Sequence, residues 1–283
     1  MIRQKSFENE NPTLYLVATP IGNLSEMTPR AIEVLNEVDI IAAEDTRNTM
    51  KLLSHFGIST RCIAHHMHNE YESAKGLLQL LDEGKNVAVV SDAGYPLVSD
   101  PGQVIVNMVV EAGYNVVPIS GANAALNALV ASGLPAQPFM FVGFIKGNES
   151  EKRKECLEIS KIKQTMIFYE APHRIKKTLE MFLEVFGNRH VCLAREITKK
   201  HEEFIRGTLS EVIEICDELK GEMVIVMEGA SDDVLTEDLP FSVINEKIQN
   251  YIREGFSTKE AIKKVAKDHG LSKNELYKQF HSN

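Results

Sequence analysis

The stretch VVSDAGYPLVSDPG (89–102) carries the decision about the fold. It continues NVAVVS (86–91), a short apolar, β-branched run that reads as a buried strand. Its other end reads as a helix opening, with Asp100 as the capping residue, Pro101 in the first turn and Gln103 in the capping-box place. Residues 92–99 then form a loop at the carboxyl end of a strand, where open α/β sheets bind ligands. The loop contains neither GxGxxG nor GxxxxGK[ST], so it is not a dinucleotide fingerprint or a phosphate loop. Gly94 allows close backbone approach, Pro96 stiffens the loop and Asp92 offers an acceptor. These suit a compact ligand with a polar head; a plain connection is the alternative reading.

Outward from this loop the pattern repeats. TLYLVA (13–18), VDIIAAE (38–44), RCIAHH (61–66) and NVVPIS (115–120) read as further strands, with helical patterns between them. Thr28 and Pro29 mark one helix start. A second series runs through PFMFVGFI (138–145), QTMIFYE (164–170), RHVCLARE (189–196), EFIRGT (203–208) and EMVIVMEG (222–229). Some of these are too close together for parallel crossovers, which predicts a mixed sheet. The division is an N-terminal α/β domain over 1–136, a second over 137–230, an acidic linker over 231–240 and a basic helical extension over 241–283. In the extension, Ser257 and Glu260 match a capping box, with Ala261, Ile262, Val265 and Ala266 on one face. Ser272 and Glu275 match a second, leading to Leu276 and Phe280. Two short helices about Gly270 predict a helix-turn-helix-like unit.

Composition narrows the function classes. At 283 residues and 43% hydrophobic content, the chain can bury one or two substantial cores. The polar start MIRQKSFENENPT lacks the apolar region of a signal peptide, and no run of apolar residues is long enough to span a membrane. Cys62, Cys156, Cys192 and Cys216 are scattered without a CxxC, as expected of reduced thiols in the cytoplasm. The net charge of −9 conceals a basic extension, with eight Lys/Arg against five Asp/Glu in 241–283. Residues 146–200 are also basic, thirteen against eight. Such segments on an acidic body either hold an anionic partner or are solvated helix faces.

Several strand ends share one vocabulary of glycine, proline and polar residues: ATPIGNLSEMTPR (18–30), SGANAALNALVAS (120–132), YEAPHR (169–174) and LAREITKKHEE (193–203). The small residues of 120–132 require something to pack closely against them. In order, TPIGNLSEMTPRA, AEDTR, SDAGYPLVSDPG, SGANAAL, FYEAPHR and AREITK resemble the tetrapyrrole methylase superfamily. Within it they resemble the ribosomal RNA small subunit methyltransferase I family, from about Thr13 to Gly229. Tyr95 departs from the smaller residue expected in its loop and would narrow the entrance.

The resemblance implies two α/β domains with an S-adenosylmethionine (AdoMet) cleft between them, a homodimer, and 16S rRNA of the small subunit as partner rather than DNA or membrane. It also implies transfer of a methyl group to a cytidine ribose 2′-hydroxyl in the decoding centre. AdoMet carries no phosphate, which accounts for the missing glycine fingerprint. Pro20, Asp92, Ala93, Gly94, Ser120, Ala122, Tyr169 and Ala194 are the expected cofactor residues. Glu44, Asp45, Glu170, His173 and Arg174 are the catalytic candidates, removal of the hydroxyl proton being the step that a base assists. A self-satisfied cap and ion pair within Glu44–Arg47 is the competing reading. Arg47, Arg195 and Lys199 are placed to meet RNA phosphates. His66, His68 and Asn69 belong to a patch similar to one in the family, read as organising RNA or the site, with histidines of a surface turn as the competing reading; no metal is expected. A small-molecule methylase of the same fold and a ligand-sensing nucleic-acid regulator are the other readings.

Overall fold

Strands form where apolar, β-branched runs are bounded by turn residues, and the order of those runs sets the architecture. The computed structural model describes residues 1–6, 8–65, 70–100, 102–231, 241–268 and 273–282. The first half comprises β1 (Thr13–Val17), α1 (Pro29–Glu37), β2 (Ile40–Ala43), α2 (Thr46–His55), β3 (Cys62–Ala64), α3 (Glu70–Asp82), β4 (Val87–Val90), α4 (Gln103–Glu111) and β5 (Asn115–Ile119). Its strands pair in the order β3-β2-β4-β1-β5, all parallel. Every residue of β2 and β4 is buried, as a sheet covered on both faces requires. Val87 and Val89 face α3 and α4, through Leu77, Leu81, Ile105 and Val109. Ala88 and Val90 face the other way, onto Val34, Leu35 and Leu53 of α1 and α2.

Pro118 sits in β5, which is an edge strand and tolerates the missing donor. The Gln4 side chain pairs with the Val116 backbone there, donating to its carbonyl at 2.9 Å and accepting from its amide at 3.0 Å. That occupies part of an otherwise open edge.

The chain continues through α5 (Ala124–Ser132), β6 (Phe139–Gly143), α6 (Glu149–Ile159), β7 (Thr165–Glu170), α7 (Ile175–Phe186), β8 (His190–Arg195), β9 (Glu203–Thr208), α8 (Leu209–Ile215) and β10 (Met223–Met227). The second sheet is mixed, in the order β6-β7-β10-β8-β9; β6 and β7 are parallel and the other pairs antiparallel. One face carries Cys156, Leu179, Phe182 and Val212 of α6, α7 and α8. The opposite face packs on Ala125, Ala128 and Leu129 of α5. A division at residue 136 thus leaves α5 with the first half by sequence, whereas its side chains go with the second sheet. The small residues of 120–132 are what permit this approach. Arg206 of β9 fixes the far end of α5, donating to the carbonyls of Ser132 at 3.1 Å and Ala131 at 2.6 Å.

Three helices close the chain: α9 (Phe241–Arg253), α10 (Thr258–Asp268) and α11 (Lys273–Ser282). The first opens the expected helical extension, ahead of the two helices read about Gly270. Ile244, Ile248, Ala261, Ile262, Val265 and Leu276 form a core of their own. The Ser257–Glu260 capping box is present, with the Ser257 hydroxyl donating to Glu260 at 2.6 Å. Gly270 and Ser272 lie outside the described residues. Among the described residues no helix is long and apolar enough to cross a membrane.

The expected cap at Asp100 is not formed. Helix α4 starts at Gln103 with Gly102 as its N-cap, at φ 135° and without a side-chain cap. Asp100 instead lies beside Ser91, which follows β4, and lines the cleft between the two halves. Pro101 lies outside the described residues.

Candidate active site

The carboxyl ends of β1, β4 and β5 are locked together by backbone. Thr19 donates to the Gly94 carbonyl at 2.9 Å and accepts from the Gly94 amide at 3.0 Å. Gly94 has φ +79°, and a Cβ there would lie 3.7 Å from the Ala122 carbonyl oxygen, so three loops meet at this glycine. The Gly121 amide donates to the Tyr95 hydroxyl at 3.2 Å, which assigns the unexpected tyrosine a bracing contact. The Ser120 carbonyl accepts from Thr28 Oγ1 at 3.3 Å, tying the β5 loop to the cap of α1.

These loops face the second sheet across a cleft of about 380 Å³. Ala93, Gly94, Tyr95 and Asp100 line one side; Tyr169, Glu170, Ala194 and Val224 line the other. A neighbouring cavity of about 260 Å³ is lined by Pro20, Asn48, Lys51 and Asp92. Asp92 of this cavity and Ala93 of the cleft are consecutive in the β4 loop. Among the described residues no cluster of ligand side chains is fit to hold a metal ion.

The candidate residues separate by what already holds them. Asp45 caps α2 by accepting from the Arg47 amide at 2.8 Å, and it pairs with the Arg47 guanidinium at 2.7 and 3.1 Å. The Arg47 hydrogen bonds hold its carboxyl down to about 2. The cap and ion pair anticipated as the competing reading of this segment are therefore present. Glu44, half-buried at the end of β2, acts on Asp100 as a like charge. Glu170 is buried and accepts from the Ala171 amide at 2.8 Å, Arg174 Nε at 2.9 Å and Thr178 Oγ1 at 2.6 Å. His173 is exposed in the 3₁₀ turn Pro172–Arg174 between β7 and α7.

The Tyr169 ring stands edge-on to Phe141 and Phe144 at 5.1 and 5.5 Å. Burial pushes its hydroxyl above the ordinary range, opposed by the nearby Ala125 backbone at the start of α5.

Two cations placed for RNA are engaged within the protein. Arg195 donates to Glu203 at 2.9 Å and to the Lys220 carbonyl at 2.9 Å. Lys199 pairs with Glu196 at 3.0 Å and Glu222 at 2.8 Å. Their loop is strained, with Glu196 at φ 50° and Thr198 at φ 69°. Arg47 keeps its side chain 86% exposed despite its partner. His66, His68 and Asn69 lie outside the described residues.

Sequence reasoning missed Asp100 as a cleft residue, and with it Asn48 and Lys51. Asn48 donates to Asp92 at 3.0 Å, a contact across two loops far apart in the chain. The available signal for Asp100 was the repeated Ser-Asp step, Ser91-Asp92 and Ser99-Asp100.

Residues 13–213 match the model of the Tetrapyrrole (Corrin/Porphyrin) Methylases. The chain is 47% identical to Ribosomal RNA small subunit methyltransferase I of Bacillus subtilis (strain 168), over 99% of this chain and 98% of the relative. It is 46% identical to the protein of that name from Halalkalibacterium halodurans, over 99% of each. A solved structure of uroporphyrin-III C-methyl transferase from Thermus thermophilus, complexed with S-adenyl homocysteine, superposes at TM-score 0.54. It is 18% identical, covers 77% of this chain and 97% of its own, and so supports the fold alone. Paired sheets, meeting loops and near full-length identity agree: this chain belongs to the tetrapyrrole methylases and, among them, to the ribosomal RNA small subunit methyltransferase I family.

Proposed function

We propose that this protein is an AdoMet-dependent methyltransferase of small-subunit ribosomal RNA, acting in the cytoplasm as a homodimer. Its acceptor in this reading is a cytidine ribose 2′-hydroxyl in the 16S decoding centre. The observation that carries the reading is 47% identity over 99% of the chain, a span that takes in the three C-terminal helices. The solved uroporphyrin methylase uses 97% of its own length to match 77% of this chain, so part of this chain has no counterpart in it. A diffusing small acceptor needs no docking unit, whereas an RNA is held largely through its phosphates. The eight Lys/Arg against five Asp/Glu of 241–283 fit that role.

AdoMet suits the cleft on three counts. The volume of about 380 Å³ lies within the usual range of small-molecule sites, roughly 300–1,000 Å³. Ala93, Gly94 and Ala194 leave backbone accessible, and Asp92 and Asp100 offer negative charge to a cationic ligand. Bound there, AdoMet supplies an electrophilic methyl group. Asp92 takes a polar end of the cofactor, Pro20 flanks it, and Tyr169 and Ala194 form the wall from the second sheet. The braced Ser120–Ala122 segment holds the loops at fixed spacing, and such positioning supplies a large part of the rate. Arg47, the exposed cation of the set, meets RNA, while Arg195 and Lys199 shape the β8–β9 loop.

The test is transfer of labelled methyl from AdoMet to small subunits lacking the modification, with naked 16S rRNA and a uroporphyrinogen as competing acceptors. Label in the subunits is expected. Label confined to the tetrapyrrole would overturn the reading.

A further inference from the structure

The sequence offered four candidate groups for taking the hydroxyl proton, and their surroundings disqualify most of them. Asp45 is bound by Arg47, Glu170 accepts three hydrogen bonds, and His173 sits in an exposed turn. Asp100 is differently placed. It lines the large cleft, on a loop strained at Leu97 (φ 74°) and Ser99 (φ 70°) on its N-terminal side. Gly102 caps α4 in its stead, so the carboxylate is not spent on the helix. Ser99 reaches the second half, its Oγ lying 3.4 Å from the point that a Cβ on Gly143 would occupy. Asp100 therefore stands at the seam of the two halves, in a cleft lined from both.

Resting on the methyltransferase reading above, we infer that Asp100 is the catalytic base that receives the proton of the acceptor hydroxyl. The charged groups facing it are carboxylates: Glu44 from the end of β2 and Asp92 from the β4 loop. The Ser91 hydroxyl, which donates to the Gly94 carbonyl at 3.1 Å, lies near it, and Tyr169 of β7 faces it from the second sheet. Burial first, then Glu44, push the Asp100 carboxyl up to about 6, with Ser91 opposing and Asp92 adding. A base is most useful when its pKa lies near the working pH. Asp45, held at about 2, is by comparison a poor proton acceptor.

The step balances within the named groups. As the acceptor oxygen bonds to the methyl carbon, the carbon–sulfur bond breaks and its electron pair stays on sulfur, leaving a neutral thioether. The hydroxyl proton passes to an Asp100 oxygen and then to water. A cation in the cleft also favours the ionised carboxylate, so donor binding prepares the base.

Asp100→Asn is expected to lower kcat by about 10²–10⁴-fold while changing AdoMet affinity far less. The acidic limb of kcat/KM in the unaltered protein should lie near pH 6, and Glu44→Gln should move it to lower pH by removing a like charge. A readout independent of turnover is AdoMet affinity by calorimetry on the full chain. It should weaken as pH falls through about 6 in the unaltered protein and lose that dependence in Asp100→Asn. A loss in kcat smaller than about tenfold, or an affinity without pH dependence in the unaltered protein, overturns the assignment. If the unaltered protein transfers no methyl to subunits, the substrate reading fails, and calorimetry still judges Asp100.

Discussion

Lys199 lies across Gly22: a Cβ on that glycine would stand 2.5 Å from Lys199 Cγ. The contact joins the loop after β1 to the loop between β8 and β9, one from each half of the molecule. Lys199 cannot swing aside freely, because its ammonium pairs with Glu196 and Glu222 at 3.0 and 2.8 Å. Gly22 also has φ +148°, which disfavours any side chain. Gly22→Ala should lower stability by about 1–3 kcal/mol and weaken AdoMet binding. Adding Lys199→Ala should recover part of both, a coupling that a double-mutant cycle of unfolding free energies measures. Strict additivity would mean that the two loops do not bear on one another.

Glu170 and Arg174 form the pair that positions the turn after β7. The carboxylate is 4% exposed at the side chain and the guanidinium 46%. Arg174→Ala leaves a buried carboxylate with two donors and no counter-charge; Glu170→Gln keeps the shape and loses the charge. Each should cost about 1–3 kcal/mol of stability. Each should also reduce methylation more than AdoMet affinity, measured by initial rates and calorimetry on the same preparation. Equal losses would reassign the pair to cofactor binding or folding.

Asp100 should carry a stability signature opposite to that of most carboxylates. Its folded pKa is raised from 3.8 to about 6, so the folded state favours the protonated form. Whatever that preference contributes is complete below the unfolded value and lost as pH rises through the folded one. At neutral pH the ionised carboxylate is therefore a liability, and Asp100→Asn should gain about 1–2 kcal/mol, or a few degrees in Tm. The gain should vanish as pH falls toward 3.8. Thermal melts across that window decide it, and a variant less stable at every pH would contradict this environment.

The sequence and the structure part company where distant residues meet. β2, β4 and β10 were legible because strands buried on both faces must be almost wholly apolar. The mixed second sheet was legible because short connections cannot cross over. Thr28 and Ser257 were readable as caps, since capping is local chemistry. Asp100 was misread for the same reason: the local signal Asp-Pro-Gly-Gln favours a cap, but Gly102 stands in the cap position. Glu44, which sets its charge environment, lies on another strand. The allegiance of α5 was only half legible. Its small residues called for a close neighbour, but nothing local named β7, β8 and β10. Lys199 and Arg195 looked free in sequence because Glu222 and Glu203 come later in the chain.

The C-terminal helices should behave as a separable unit. Their apolar side chains, from Ile244 to Leu276, pack on one another. Removing residues 241–283 should leave AdoMet binding and the melting of the remainder nearly unchanged, and weaken attachment to the small subunit. If the unit neutralises two or three phosphates, the log–log salt dependence of subunit binding should flatten by roughly two units. An unchanged slope would end the RNA-binding role of this segment, and a lower Tm or a change in sedimentation would assign it to packing.

The most direct measurement concerns the atom that receives the methyl group. Small subunits treated with the protein and AdoMet, digested and mapped by mass spectrometry, should gain a single methyl on one cytidine of the 16S decoding centre. That nucleotide should resist alkaline cleavage at its 3′ side, because a blocked 2′-oxygen cannot attack the phosphate. A methyl group on a base, with alkaline cleavage intact, would contradict the account.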